Sequence, residues 1–232
     1  MLPDQPVVEQ PSSVAGERER SESESPSSAG KLSLRLIFRE NPPHVRLRRV
    51  LDVFGAAILL VACAPIFCSA VVAILIEDGQ PIFFRQRRVG RFGRLFDMYK
   101  LRTMRKEKCI DDFSPTTGRD PRITRVGSWL RKSSIDELPQ LINVIRGDMT
   151  FVGPRPEMPF LVRNYEPWQH LRHLVTPGMT GLWQITCRST VPLHLPEATL
   201  LDLEYVRKAS YLTDAVVIAK TLKMLVAPNG AF

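Results

Sequence analysis

One stretch stands apart from the rest of the chain. From Val53 to Ile76 no residue is charged and almost every one is apolar: VFGAAILLVACAPIFCSAVVAILI. As a helix rising about 1.5 Å per residue, this is long enough to cross a hydrocarbon layer of about 30 Å. Pro65 lies near its middle, where it removes a backbone hydrogen bond and bends a helix. Both flanks are basic, with Arg46, Arg48 and Arg49 before the segment and Arg85, Arg87, Arg88, Arg91 and Arg94 after it. Positive charge marks the cytoplasmic side of a membrane. A straight span strands one cluster outside, whereas a helix that bends at Ala64-Pro65 and leaves by the face it entered keeps both inside. Since proline also occurs in ordinary spanning helices, the residues alone leave both geometries open. Asp52, at the mouth of the segment, is within i,i+4 reach of Arg48 or else is wetted at the interface.

Residues 1–30 are rich in Ser, Glu, Pro and Gln and nearly devoid of large apolar side chains. They read as disordered, because they cannot bury enough surface to offset chain entropy, and they hold no signal-peptide pattern. From Gly79 onward the pattern is that of a compact α/β (α+β) domain, mostly helical with short strands. Pro81–Phe84 and Leu95–Tyr99 read as strands joined by a turn at Gly90–Gly93, which suggests a hairpin. Gly127–Arg131, Leu138–Ile145, Phe160–Leu174 and Asp214–Val226 read as helices. Leu138, Leu141, Ile142 and Ile145 fall on one helical face, and Gly147 ends that helix. The division predicted is a disordered tail over 1–43, a membrane helix-break-helix over 44–78 and a compact α/β domain, the candidate catalytic one, over 79–232.

Charge sharpens this picture. The chain has a net charge of +8, but residues 1–40 hold five basic against seven acidic side chains, which leaves +10 on the remainder. A basic body points to an anionic partner: lipid headgroups, a nucleotide or nucleic acid. No nucleic-acid motif or set of stacking aromatics supports the last. Cys63, Cys68, Cys109 and Cys187 form no C-x-x-C pair and read as reduced, and the four histidines show no metal spacing.

The candidate chemistry lies in Ser134-Ile135-Asp136-Glu137-Leu138-Pro139-Gln140. Pro139 suits the first turn of a helix, which makes Asp136 its N-cap; a second frame makes Ser134 the cap and Glu137 its capping-box partner. Either explains the carboxylates structurally. The functional reading has both facing a cleft, Asp136 held ionised as a nucleophile and Glu137 binding a divalent cation with substrate phosphates. Lys100 and Arg102, at the end of a strand, alternate onto one face as candidate contacts for substrate phosphates, and Arg122, Arg125 and Arg131 precede the carboxylates. Pro154 and Pro156 restrict the backbone around Arg155, which reads as either a fixed phosphate or base contact or a rigid connector. The Gly-rich turn Pro177–Gln184 leads into a short strand and could approach a ligand closely.

These blocks, taken in order, resemble the small monotopic phosphoglycosyl transferases of the bacterial sugar transferase family. The resemblance covers about residues 46–226. It runs through Arg48-Arg49-x-x-Asp52, the Pro65 break, Pro81-x-Phe83-Phe84-x-Gln86, Lys100-x-Arg102-Thr103-Met104 and Asp120-Pro121-Arg122-Ile123-Thr124-x-x-Gly127. It continues through Ser134-x-Asp136-Glu137-Leu138-Pro139-Gln140, Asn143-Val144, Gly147-Asp148-Met149, Val152–Pro156, Pro177-Gly178-x-Thr180-Gly181-Leu182-Trp183-Gln184 and Leu201-Asp202-x-x-Tyr205-Val206. The resemblance implies that Asp136 attacks the β-phosphorus of a UDP-sugar, releases UMP and passes the sugar phosphate to polyprenol (undecaprenyl) phosphate. It implies dependence on Mg²⁺, with Glu137 and Asp136 as candidate ligands, and binding of nucleotide and phosphates by Arg131 and Arg155. It also implies a re-entrant helix at Pro65, seated among inner-membrane lipids on the cytoplasmic face of a bacterial membrane. A homodimer is compatible with the apolar hairpin.

Two features depart from the family pattern. Thr186-Cys187-Arg188 stands where the family often has Asn-Gly-Arg, which bears on loop geometry and sugar preference. The chain reads as the minimal form, without the N-terminal transmembrane bundle of larger relatives. The rival reading is a non-enzymatic, membrane-anchored basic adaptor in which Asp136 and Glu137 only cap a helix.

Overall fold

The computed structural model describes residues 43–105, 120–187 and 196–226. The tail, Lys106, Lys108, Cys109 and Arg188 lie outside the described residues.

The apolar stretch forms two helices, α1 (Pro43–Ala62) and α2 (Ala64–Asp78), bent by 60° at Cys63. Pro65 sits in the first turn of α2, where a missing N–H costs no helical bond. Neither helix alone is long and apolar enough to cross a membrane. Both arms pack on the same domain. Ala56 of α1 joins Met98, Leu141, Val144 and Met149 in one core cluster, while Ala70 and Ile74 of α2 join Leu101 and Leu130 in another. The outward faces stay apolar and exposed, including Phe54, Ile58, Val61, Val72 and Ile76.

Polar contacts fasten the two ends of the hairpin. Arg49 donates to the carbonyls of Val144 and, at 2.6 Å, Ile145, at the end of a helix whose last carbonyls have no partner within it. Glu77 accepts from the backbone N–H groups of Arg125 and Val126, both at 2.8 Å, at the start of α3 (Arg125–Lys132), where a carboxylate meets the positive end of the helix. Asp52 is buried and accepts from the Thr150 hydroxyl at 2.6 Å. It does not take up the i,i+4 pairing, because Arg48 turns to Asp214 (3.1 Å), Tyr205 Oη (2.7 Å) and the Val152 carbonyl.

The predicted hairpin is present and longer than expected. β1 (Phe83–Val89) and β2 (Leu95–Leu101) pair antiparallel in register from Phe83–Leu101 to Val89–Leu95. After α3 comes a 3-10 turn, Ile135–Glu137, and then α4 (Gln140–Arg146), closed by left-handed Gly147. Neither capping frame forms. Ser134 precedes the turn in the left-handed region (φ 56°) with no side-chain cap, and Pro139 precedes α4. The buried face of α4 is Gln140, Leu141, Asn143 and Val144, while Ile142 and Ile145 are exposed. The amide of Asn143 causes this shift: it accepts from Tyr99 N (3.2 Å) and donates to Asp97 O (2.7 Å), which turns a polar position toward β2.

β3 (Thr150–Val152) and β4 (Gly178–Thr180) form a short parallel pair. Residues 160–174 are not one helix but α5 (Pro159–Val162) and a 3-10 segment, Gln169–Leu174. The Gly-rich turn itself carries β4 and runs not into a further strand but into helix α6 (Leu182–Thr186); α7 (Pro196–Lys208) and α8 (Tyr211–Val226) follow. The Gly-rich turn meets protein backbone: a Cβ on Gly178 would stand 2.1 Å from Gly153 N. Its glycines therefore serve the close crossing of two chain segments.

Candidate active site

The left-handed turn at Ser134 swings the following 3-10 turn so that its two carboxylates meet the end of β2 and the strap Gly153–Glu157. A non-glycine residue in this conformation costs about 1–2 kcal/mol, held here by surrounding packing. Asp136 is 6% exposed. Glu137 Oε1 accepts from Lys100 Nζ at 2.8 Å and from Arg155 Nη2 at 2.9 Å. Lys100 comes from β2, where it pairs with Phe84. Arg131 comes from the last turn of α3 and donates through Nε to Thr103 Oγ1 at 2.8 Å. Two adjacent carboxylates thus face cations from three different elements.

Burial pushes the Asp136 carboxyl up to about 6, and Glu137 pushes in the same direction; Lys100, Arg131 and Arg155 oppose them. Its ionised form is thus poorly solvated and held by the three cations around it. Burial also lowers the Lys100 ammonium, which Glu137 counters. Among the described residues there is no cluster of three or more His, Cys, Asp or Glu able to enclose a metal. A cation held by one or two carboxylates and completed by phosphate oxygens and water needs no such cluster.

The strap that carries Arg155 is gripped along its length. Gly153 N donates to Thr180 O (2.8 Å), Pro154 O accepts from Gly178 N (2.9 Å), and Pro156 O accepts from Arg88 Nη1 (3.2 Å). Val89 N donates to Glu157 O at 2.9 Å. Pro154 and Pro156 are buried. Burial, with Arg155 next in effect, brings the Arg88 guanidinium down to about 10.

Of the residues singled out from sequence, Asp136, Glu137, Lys100 and Arg155 come together, and Arg131 lies close enough to act on Asp136. Arg102 goes elsewhere. Its guanidinium is 3% exposed, pairs with Asp78 and donates to the carbonyls of Gly79 (2.7 Å), Asp78 (3.1 Å) and Pro81 (2.5 Å), tying the end of α2 to β2. Lys100 and Arg102 share the alternation that predicted one face, but the strand ends at Leu101 and the chain turns away. Arg88 and Thr103 were missed as contributors to the site. The i,i+2 pair Gln86–Arg88, joined at 2.5 Å, carried a signal for the first. Cys187 follows α6 at φ −148°, outside the left-handed region that favours glycine.

Residues 44–228 match the family described as bacterial sugar transferase. The chain is 40% identical over 199 residues to the galactosyl transferase CpsE of Streptococcus agalactiae serotype III, covering 81% of this chain and 44% of that protein. It thus spans under half the length of that relative. It is 37% identical over 200 residues to the exopolysaccharide production protein ExoY of Sinorhizobium fredii, covering 80% and 88%. It is 36% identical over 219 residues to the UDP-glucose:undecaprenyl-phosphate glucose-1-phosphate transferase of Caulobacter vibrioides, covering 89% and 82%. The chain belongs to the bacterial sugar transferase family, a family of transferase enzymes.

Proposed function

We propose that this chain transfers a sugar 1-phosphate from a UDP-sugar to undecaprenyl phosphate, with release of UMP, as the first membrane step of exopolysaccharide or a related glycan. The observation that carries the reading is the buried Asp136 beside a Glu137 clamped by Lys100 and Arg155. An Asp136 oxygen attacks the β-phosphorus of the donor. The new O–P bond forms as the bond from that phosphorus to the bridging oxygen breaks, and UMP leaves with the electron pair. A phosphate oxygen of the lipid then attacks the same phosphorus and expels the Asp136 carboxylate. Arg155, Arg131 and Lys100 face the charge on the phosphates, and their fixed positions favour the more highly charged transition state. Glu137 and Asp136 would hold Mg²⁺, which would supply neutralising charge for the leaving UMP.

The lipid acceptor calls for a membrane seat, and the bent hairpin supplies one. Both arms return to the same domain. Apolar arms about 15–20 Å long meeting at a 60° bend reach about 8–10 Å deep, within one leaflet. The basic flanks then lie against the cytoplasmic face.

The test is UMP release with undecaprenyl phosphate and Mg²⁺ from a panel headed by UDP-glucose and UDP-galactose, the sugars in the relatives' names. Release with at least one donor, lost in folded Asp136→Asn and on chelation of the metal, is expected. No release from a wide panel by folded protein would return the chain to the adaptor reading.

A further inference from the structure

The motif Leu201-Asp202-x-x-Tyr205 lies on α7, away from the carboxylates, and the reaction above gives it no task. Its Asp202 is 1% exposed and forms an ion pair with Arg172 Nη2 at 2.5 Å; Arg172, in the 3-10 segment Gln169–Leu174, is 2% exposed. The same Nη2 donates to the backbone carbonyl of Arg155 at 2.7 Å, and Nη1 donates to Tyr165 Oη at 2.5 Å. A buried ion pair is weak support for stability, since apolar residues of similar volume commonly do as well or better. This one points instead at the backbone of the residue that holds Glu137.

Arg155 is constrained as few surface arginines are. Prolines flank it, and the carbonyls of Pro154, Arg155 and Pro156 are all taken, by Gly178 N, Arg172 and Arg88. What remains is side-chain rotation, and Glu137 limits that. Without the Arg172 contact, the middle carbonyl of the strap lacks that partner, and the Arg155–Pro156 peptide plane loses the restraint.

We propose that Arg172, with Asp202 as its counter-charge, is a positioning residue that sets the strap so that Arg155 meets the diphosphate of the sugar nucleotide. The role rests on the transfer reaction proposed above. Arg172 need not touch substrate; it acts through Arg155, so its effect should disappear when Arg155 is truncated.

The experiment is a double-mutant cycle on the full chain in nanodiscs, read as UMP release from UDP-glucose or UDP-galactose with the KM for donor and for undecaprenyl phosphate measured separately. The paired replacement Arg172→Met with Asp202→Leu removes both charges and leaves neither buried alone. Arg172→Lys keeps the charge opposite Asp202, loses the planar fork and provides the cycle if the paired variant does not fold. The expected result is a loss of about 10- to 100-fold in kcat/KM for the donor, the scale of a small misplacement at a reacting centre. Acceptor KM should stay within about twofold. In an Arg155→Ala background the same replacement should cost little more, a non-additivity that a structural role would not produce. An equal loss in both backgrounds, or equal rises in both KM values, would overturn the positioning role while leaving the reaction intact. Folded wild-type protein that releases no UMP from any donor would overturn the reaction and this role with it.

Discussion

At the scale of the residue, the decisive balance is that on Asp136. Burial raises its carboxyl to about 6, and the strongest opposing influence is Lys100. For the free enzyme, kcat/KM should therefore fall in acid with a limb near pH 6. Lys100→Met removes a charge that favours the carboxylate, so the limb should move to higher pH; a limb that stays or moves down would mean Asp136 is not the titrating group. The same balance sets stability. The folded pKa lies above the ordinary value, so the fold favours the protonated acid and ionising it costs stability. That cost is absent below about pH 4 and complete above about pH 6. Asp136→Asn, which mimics the neutral acid, should melt several degrees higher than wild type at pH 8 and no higher at pH 4. A nucleophile held at the expense of stability gives this signature; a simple helix cap gives the reverse.

At the scale of the element, much of the chain was legible. The β1–β2 hairpin, the ends of α4 and α8 and the break before Pro65 followed from alternation, Gly147, apolar periodicity and one proline. What was not legible depended on partners distant in sequence. Asn143 rotates α4 to satisfy its amide against β2, so Ile142 and Ile145 lie outside. The Ser134 turn takes a conformation that no local propensity favours, and so both capping frames failed at the carboxylates. Asp136, Glu137, Lys100 and Arg155 stand out in sequence as separate charged blocks, and the structure brings those blocks together. Arg102 read as a phosphate ligand because sequence cannot say where a strand stops. In the structure it fastens α2 to the domain, and Arg102→Ala should cost about 3 kcal/mol by leaving buried acceptors unpaired. Thermal unfolding in detergent should register this loss, with the donor KM of the remaining folded enzyme nearly unchanged. A stable variant with a raised donor KM would return Arg102 to the site.

At the scale of the whole molecule, the proposed function asks one arrangement to join lipid and sugar chemistry. The hairpin is stitched to the domain at both ends, by Arg49 and Asp52 on one side and Glu77 and Asp78 on the other. Arg48 then links the root of α1 to Val152, at the start of the strap that bears Arg155. If the hairpin re-enters one leaflet, single cysteines at Leu47 and Gln80, in a background free of the native cysteines, should react with an impermeant maleimide from the cytoplasmic side only. Labelling from opposite sides would establish a span instead. The proposed transfer has two halves, the first of which needs no lipid acceptor. The most direct measurement is thus UMP release and intact-protein mass in the absence of undecaprenyl phosphate. The predicted result is a burst of UMP equal to the amount of enzyme and one sugar phosphate on Asp136, discharged when the lipid phosphate is added. UMP that forms only when the lipid is present, with no adduct at any time, would contradict a covalent role for Asp136.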